Sequence, residues 1–411
     1  MDHTLISATF QSRPNRFVVE IAVAGCPTTA SLPNPGRMQE LLLPGAELLV
    51  RPGPEGGKHP WRVVATRSAG GGGAVIYLDT GGTNRVAAQL IAERRIPALA
   101  DYDVVRAEVT VPGMRSRFDF LLRHRETAAE LLLEVKSCTL FNGRWAMFPD
   151  AVTERGTRHL LELAEAAGAQ TPYGGRGSPA AAVAPAAAAV APAAAILFVV
   201  HSDEPEFFLP DYHSDLTFAR TLLAVKDRVP ILATGVRWGA DLEVAAYRRE
   251  LAIPWEILPP LLEDRGAYLV VLRLDRPTTI ATGALGDVTY RRGYYLYIGS
   301  AQRNLTARLN RHRRPGRRRK HWHIDYLRET CTVVDSYAIR EPWRRETEIV
   351  RRLRPLADEG IPRFGSSDSP EPSHLLYFTE DPRRRADFQD LLLELRRHGP
   401  EQSRRGLGVA S

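Results

Sequence analysis

The sequence predicts a multidomain α/β protein whose first part is all β, and three observations carry that expectation. The 411 residues exceed what one hydrophobic core ordinarily organises. The first eighty or so residues read as short β-type runs broken by Pro and Gly. Beyond about Asn84, strand and helix periodicities alternate, and a further unit of the same kind begins near Gly266.

Taken in order, the opening runs RFVVEIAV, AELLVRP, WRVVATRS and AVIYLDT are separated by PNPGRM, LPGAE and PGPEGG, which predicts a small barrel or sandwich over residues 1–82. An α/β domain follows over 83–245. It holds a helix (NRVAAQLIAERR), strands VVRAEVTV, RFDFLL and ELLLEVKS, a helix (TERGTRHLLELAEAAG) with Asp150 as its N-cap, and strand AILFVV. An Ala/Pro-rich stretch at 172–195 interrupts that domain and is expected to be an insertion; alanine gains little on transfer to lipid, and its prolines break helices, so it is not a membrane span. Helix DLTFARTLLAVKDR and strand VPILATGVRW finish the domain, and 246–262 is expected to be a connector. Residues 263–380 repeat the mixture with AYLVVLRL, YYLYIGS, a basic helix RNLTARLNRHRR, HIDYLRE, VVDSYAIR and EPWRRETEIVRRL, and 381–411 are a C-terminal helix and tail.

Composition narrows the function classes. A 44% hydrophobic, 25% charged chain fits a soluble globular protein, and a net charge of +7 leans toward a polyanionic partner. Cys26, Cys138 and Cys331 form no CxxC pair, so a reduced setting without disulfide partners is expected. The opening MDHTLISATFQSRPNR has no charged start followed by an apolar stretch, so cytoplasm is the expected location, without a membrane partner.

Chemistry concentrates on the strand LLLEVKS. Strand periodicity puts Glu134 and Lys136 on one face, and Asp119 on the preceding strand is one hairpin away. Two carboxylates there suit Mg2+ or Mn2+, which predicts Asp119 and Glu134 as metal ligands and Asp119, Glu134 and Lys136 as a catalytic set for phosphodiester chemistry. The same spacing also fits an exposed edge strand whose charges are solvated. Downstream, Arg155 and His159 share a helix face and are candidate phosphate contacts, as is Arg37 in PNPGRM; an ordinary solvated face is the alternative.

The segments SLPNPGRMQELLLPG (31–45), SRFDFLL (116–122), LLLEVKS (131–137) and FPDAVTERGTRHLLEL (148–163) together resemble the sugar fermentation stimulation protein A family over roughly residues 10–240. That resemblance implies an OB-type barrel followed by a PD-(D/E)xK nuclease-like domain that binds nucleic acid, with the metal ligands mapping to Asp119 and Glu134 beside Lys136, and Glu108 as a weaker fourth acid. Where that family often has a histidine before PN-x-G, this chain has Ser31 and Leu32.

In the last unit, Gly266-Ala267-Tyr268, Tyr297-Ile298-Gly299, HWHIDYL (321–327) and FGSSD (364–368) resemble the GIY-YIG endonuclease superfamily and a small domain related to it. By that resemblance the catalytic roles fall on Tyr268 or Tyr297, Arg308, and Glu346 or Glu348. The two cysteines common after FGSSD are replaced by Ser369 and Glu371, and His321, His323 and His374 alone match no standard zinc set. The run RHRRPGRRRK carries seven cations, Arg311, Arg313, Arg314, Arg317, Arg318, Arg319 and Lys320, and predicts a nucleic-acid-binding surface. The function expected is a DNA-binding, divalent-metal-dependent phosphodiesterase, DNA being favoured over RNA as the partner. The rival is a regulatory DNA-binding protein that keeps nuclease folds without cleavage, and no residue pattern supports sugar recognition.

Overall fold

The computed structural model describes residues 5–68, 73–168, 194–248, 250–314, 320, 322–366 and 369–406. By its contacts the chain divides into a first unit, Met1–Asp211 with Thr217–Pro254, and a second, Tyr212–Leu216 with Trp255–Ser411.

The first unit opens with β1 (Ile6–Asn15), β2 (Val18–Val23), β3 (Cys26–Ser31), β4 (Glu47–Pro52) and β5 (Trp61–Arg67). Hydrogen bonding runs β3-β2-β1-β4-β5, and β5 pairs back to β3, so five strands close a barrel and leave no edge there. Alternate residues fill it, among them Phe10, Val19, Ile21, Leu48, Val50 and Val63. β1 and β3 lie outside the sequence expectation. CPTTAS and SATFQSRPN hold few large apolar residues, and their pairing rather than their hydrophobicity makes them strands.

β6 (Val75–Tyr77) links the barrel to a larger sheet. α1 (Thr80–Ala92) follows and begins four residues before the expected start. Asp79 is its N-cap, accepting from Gly81 N at 3.0 Å while Arg62 clamps both carboxylate oxygens at 2.7 and 2.8 Å. Then come β7 (Tyr102–Thr110), β8 (Arg117–His124), β9 (Glu130–Cys138), β10 (Leu140–Asn142), β11 (Trp145–Phe148), α2 (Glu154–Gly168), β12 (Ala194–Val200), β13 (Phe207–Pro210), α3 (Leu216–Val225), β14 (Ile231–Trp238) and β15 (Val244–Arg248).

The sheet continues β6-β14-β12-β9-β8-β7. β12 is buried at every position, as its unbroken apolar run requires of a central strand. The side chains of α1 pack on one face of β9 through Leu131, Leu133 and Val135. A second small sheet, β10-β11-β13, was not anticipated from sequence.

Two further expectations are corrected. Asp150 does not cap α2; Thr153 does, its Oγ1 accepting from Gly156 N at 3.0 Å. The first residues assigned to the connector are strand: β15 pairs with β14, and only beyond it does the chain run irregularly into α4 (Leu258–Leu261). Of the Ala/Pro-rich insertion expected at 172–195, residues 172–193 lie outside the described residues, and Ala194 and Ala195 belong to β12.

The second unit contains β16 (Gly266–Leu274), a hairpin of β17 (Thr278–Ala281) and β18 (Asp287–Tyr290), β19 (Gly293–Ala301), α5 (Leu305–Arg313), α6 (His323–Leu327), β20 (Thr332–Arg340), α7 (Glu346–Leu353), β21 (Glu359–Gly360), β22 (Leu375–Phe378) and α8 (Ala386–Gly406). Its antiparallel sheet runs β20-β16-β19-β22-β21. Even-numbered residues of β16 pack toward α5 and α6 with Leu305, Leu309, Ile324 and Leu327, and odd-numbered ones toward α7 and α8 with Ile349, Val350, Phe388 and Leu395.

Candidate functional site

β9 is an interior strand, antiparallel to β8 and parallel to β12, so Glu134 is not a solvated edge residue. The register pairs Phe120 with Leu133, and the next step places Asp119 opposite Glu134. Glu134 is only 2% exposed, a position that costs a bare carboxylate several kcal/mol unless it is paired. Both donors that reach it converge on one oxygen. Lys136 Nζ and His159 Nδ1 both bond Oε1, the latter at 2.5 Å, while the buried Oε2 has no hydrogen-bond partner. Burial alone would raise the Glu134 carboxyl, but the His159 hydrogen bond and the Lys136 charge outweigh it and hold it below the ordinary range.

Asp119 is held differently. Its Oδ1 accepts from Asn84 Nδ2 at 2.8 Å and its Oδ2 from Val135 N at 2.7 Å. Burial and the neighbouring Glu134 charge push its carboxyl above the ordinary range, outweighing its two hydrogen bonds and the Lys136 charge. Among the described residues no group of three or more His, Cys, Asp or Glu is placed to hold a metal ion, so any cation there rests on these two acids with backbone or solvent oxygens.

Both acids line a cleft of about 730 Å³. The barrel contributes Arg16 and residues 34–36 to its wall, α1 contributes Thr80, Thr83 and Asn84, and the approach to α2 contributes residues 150–155. The first turns of two helices therefore border a cleft that also holds Lys136, Arg16 and Arg155, an arrangement suited to an anion beside a cation. Asp150 joins the walls: half-buried, with its carboxyl raised mainly by desolvation, it accepts from Met38 N at 2.9 Å. Its oxygens would lie 2.7 and 2.8 Å from a Cβ added at Gly36, which explains the glycine in PNPGRM.

Several predicted contacts occupy other roles. His159, expected as a phosphate contact, is 1% exposed and bonds Glu134 instead. Arg155 is exposed at the cleft and donates from Nε to His159 Nε2 at 3.2 Å. Arg37 is partly buried, bonds Gln39 at 3.2 Å and lowers Asp150 through its charge. Glu108, the weaker fourth acid, does not line the cleft; it pairs with Arg117 at 2.5 Å on the edge strand β7. Sequence reading missed Arg16, Asn84 and the tie made by Asp150. Asn84 in DTGGTNR carried the one usable signal, a polar residue at the expected start of a helix.

In the second unit, β16 and β19 bring Tyr268 opposite Gly299 and Tyr297 opposite Val270. The Tyr268 ring lies on Gly299, where an added Cβ would meet it at 2.5 Å. The two tyrosine rings are 6.2 Å apart, and Tyr268 Oη is 3.3 Å from His312 Nε2. Burial pushes the Tyr268 hydroxyl up to about 12 and Tyr297 well above its ordinary value, and holds His312 down to about 4. Arg308 donates to Ser300 O at 3.0 Å and lies 4.8 Å from the Trp322 ring centre.

Glu346 is the acid that joins this cluster; Glu348 pairs with Arg345 at 2.8 Å. Both Glu346 oxygens are engaged, Oε2 by Ser300 Oγ and Oε1 by His374 Nδ1 at 2.9 Å. Of the basic run, Arg311 pairs with Asp325 at 2.7 Å, Arg313 bonds Ser336 at 2.7 Å and Lys320 pairs with Glu329 at 2.9 Å. Arg314 is exposed, and Arg317, Arg318 and Arg319 lie outside the described residues, as do His321 and the last two residues of FGSSD. His323 Nδ1 accepts from Gly365 N at 3.3 Å, and His374 Nδ1 faces Glu346. No helix among the described residues is long and apolar enough to cross a membrane.

Three family models match the chain. The SfsA N-terminal OB domain covers residues 12–77, the sugar fermentation stimulation protein RE domain covers 81–172, and the domain of unknown function DUF123 covers 267–397. The closed five-stranded barrel is thus an OB domain. A sugar fermentation stimulation protein homolog from Desulforamulus reducens is 33% identical over 254 residues, 62% of this chain and 93% of that protein. The Moorella thermoacetica homolog is 43% identical over 161 residues, 39% of this chain and 67% of its own. Among solved structures, Pyrococcus furiosus SfsA in complex with Ca2+ is similar at 26% identity with a TM-score of 0.50, covering 61% of this chain and 96% of that one.

Proposed function

The chain belongs to the sugar fermentation stimulation protein family, and from that premise we propose that its first unit is a PD-(D/E)xK-type, divalent-cation-dependent phosphodiesterase acting on nucleic acid, DNA before RNA. The observation that carries this reading is the buried, partnerless Oε2 of Glu134 beside a second, half-buried acid whose carboxyl is raised by desolvation and by the Glu134 charge. Those two features fit a cation, and Asp119 and Glu134 are the residues that would hold it. The solved Pyrococcus furiosus relative, described in complex with Ca2+, supports the same fit. When bound, Mg2+ or Mn2+ supplies Lewis-acid polarisation of a phosphodiester and acidifies water.

The chain's own residues provide the rest. Lys136 holds Glu134 Oε1 and places an ammonium at the cleft floor, where it stabilises charge that develops on phosphate. Arg16 and Arg155 supply the rim that a sugar-phosphate backbone needs. The barrel loop at 34–36 limits how a strand enters. For the second unit we propose a GIY-YIG-like fold, supported by the antiparallel GAY and YIG segments and by the gathering of Tyr268, Tyr297, Arg308 and Glu346.

A second reading, a regulatory DNA-binding protein that keeps both folds without cleavage, is favoured by the lean ligand set. Purified full-length protein incubated with labelled single- and double-stranded DNA and RNA, with and without Mg2+ or Mn2+, separates the two. Metal-dependent cleavage that disappears in Glu134→Ala but survives in Arg308→Ala supports the phosphodiesterase. Salt-sensitive binding without cleavage under any metal supports the binder, and binding indifferent to salt removes nucleic acid from both.

A further inference from the structure

We infer that His159 is a positioning residue that decides which oxygen of Glu134 is presented to a cation, with Arg155 fixing its proton. The inference rests on the cation reading above and goes beyond it, since His159 itself touches neither ligand nor substrate.

A free carboxylate exchanges its two oxygens by rotation about its terminal bond. Here two donors converge on Oε1 and none on Oε2. Lys136 alone cannot impose that asymmetry, because its ammonium rides on a flexible stem and turns freely. The imidazole can. It is 1% exposed, lies edge-on to Phe118 with centroids 6.1 Å apart, and bonds at both nitrogens.

The direction of those bonds follows from Arg155, whose Nε–H can only donate. His159 Nε2 must accept, so the ring proton sits on Nδ1 and is given to Glu134. A chain of two hydrogen bonds thus runs from the exposed guanidinium at the rim to the buried acid at the floor. A histidine that merely filled the core would need neither the short bond to Oε1 nor the arginine behind it.

Terbium luminescence titration of the full chain tests this, with Tb3+ standing in for Ca2+. His159→Asn keeps an N–H at the place of Nδ1, and is expected to bind Tb3+ within about threefold of the native protein. His159→Gln moves its amide one methylene further, toward the place of Nε2, and is expected to bind about 10–100-fold more weakly, the range typical of partners that orient metal ligands. Arg155→Ala, at an exposed position that folding tolerates, reads the outer bond. Removing a positive charge near a cation should by Coulomb's law tighten binding, so a several-fold loss in this variant supports the relay.

Tight binding by His159→Gln, an Asn variant as weak as Gln, or tighter binding by Arg155→Ala each overturns the inference while the native protein still binds. Absence of saturable Tb3+ binding in the native protein removes the cation reading and this inference with it. Thermal melts by circular dichroism identify a variant that has not folded, in which case Arg155→Ala decides.

Discussion

Glu134 and Glu346 are both largely buried acids that accept from a histidine Nδ1, and both are held below the ordinary carboxylate range by hydrogen bonds that outweigh burial. They differ in what is left over. Glu134 keeps one buried oxygen without a partner and faces a second acid across a cleft, whereas Glu346 has Ser300 on one oxygen and His374 on the other. Tyr268 and Tyr297 beside it are neutral phenols whose protons burial retains. What fits the proposed cation at Glu134 is an oxygen without a hydrogen-bond partner facing a second acid, and Glu346 has no such oxygen.

The comparison breaks first on cation affinity. Glu134→Gln is expected to weaken Tb3+ or Ca2+ binding by more than about 100-fold, beyond the range for residues that only orient ligands, while Glu346→Gln leaves it unchanged. Calorimetric titration of both variants checks this, and a comparable loss in Glu346→Gln would erase the distinction. The next effect is on stability. Gly299→Ala drives a methyl into the Tyr268 ring and Gly36→Ala into the Asp150 carboxylate, each expected to cost about 1–3 kcal/mol in denaturant unfolding. Only Gly36→Ala should also weaken cation or nucleic-acid binding at the cleft.

A pH dependence sharpens the first unit further. His201 is buried, accepts from Trp238 Nε1 at 3.1 Å and bonds Ser137 at 2.9 Å, and burial holds it down to about 3 from 6.5. The unfolded chain therefore binds a proton that the fold refuses. Stability from this residue is complete above pH 6.5 and is lost progressively as pH falls toward 3. Between pH 7 and 5.5 the loss is expected to be about 1 kcal/mol, and His201→Gln should flatten it in chemical unfolding curves. The smallest effect is on salt. Arg155→Ala should lower the slope of log affinity against log salt for DNA by about one and weaken binding uniformly across sequences, as measured by fluorescence anisotropy.

Legibility in the sequence followed the range of the determining interactions. LLLEVKS and RFDFLL were readable because strand alternation is local, and their hairpin places Asp119 opposite Glu134 through a short connection. AILFVV was readable as a buried strand because an unbroken apolar run has few other homes. β1, β3 and β15 were not, since SATFQSRPN, CPTTAS and VAAYR become strands through partners elsewhere in the chain. Within the site, the His159 and Arg155 spacing was visible but its meaning was not. Helical periodicity places both on one face and cannot say whether that face meets water or a carboxylate 25 residues upstream. Glu346 and Glu348 were likewise indistinguishable until Arg345 claimed one and Ser300 and His374 the other.

Asp150 has a consequence for how such chains can be recombined. A half-buried carboxylate of the α/β part takes its backbone donors, at Met38 and Arg37, from a loop of the barrel. A barrel lacking those two amides would leave this cleft acid short of two donors, so the two parts are expected to work best as a pair. Lengthening the chain with a further domain leaves that bond untouched, whereas exchanging the barrel for another demands a loop that returns two N–H groups to the same place.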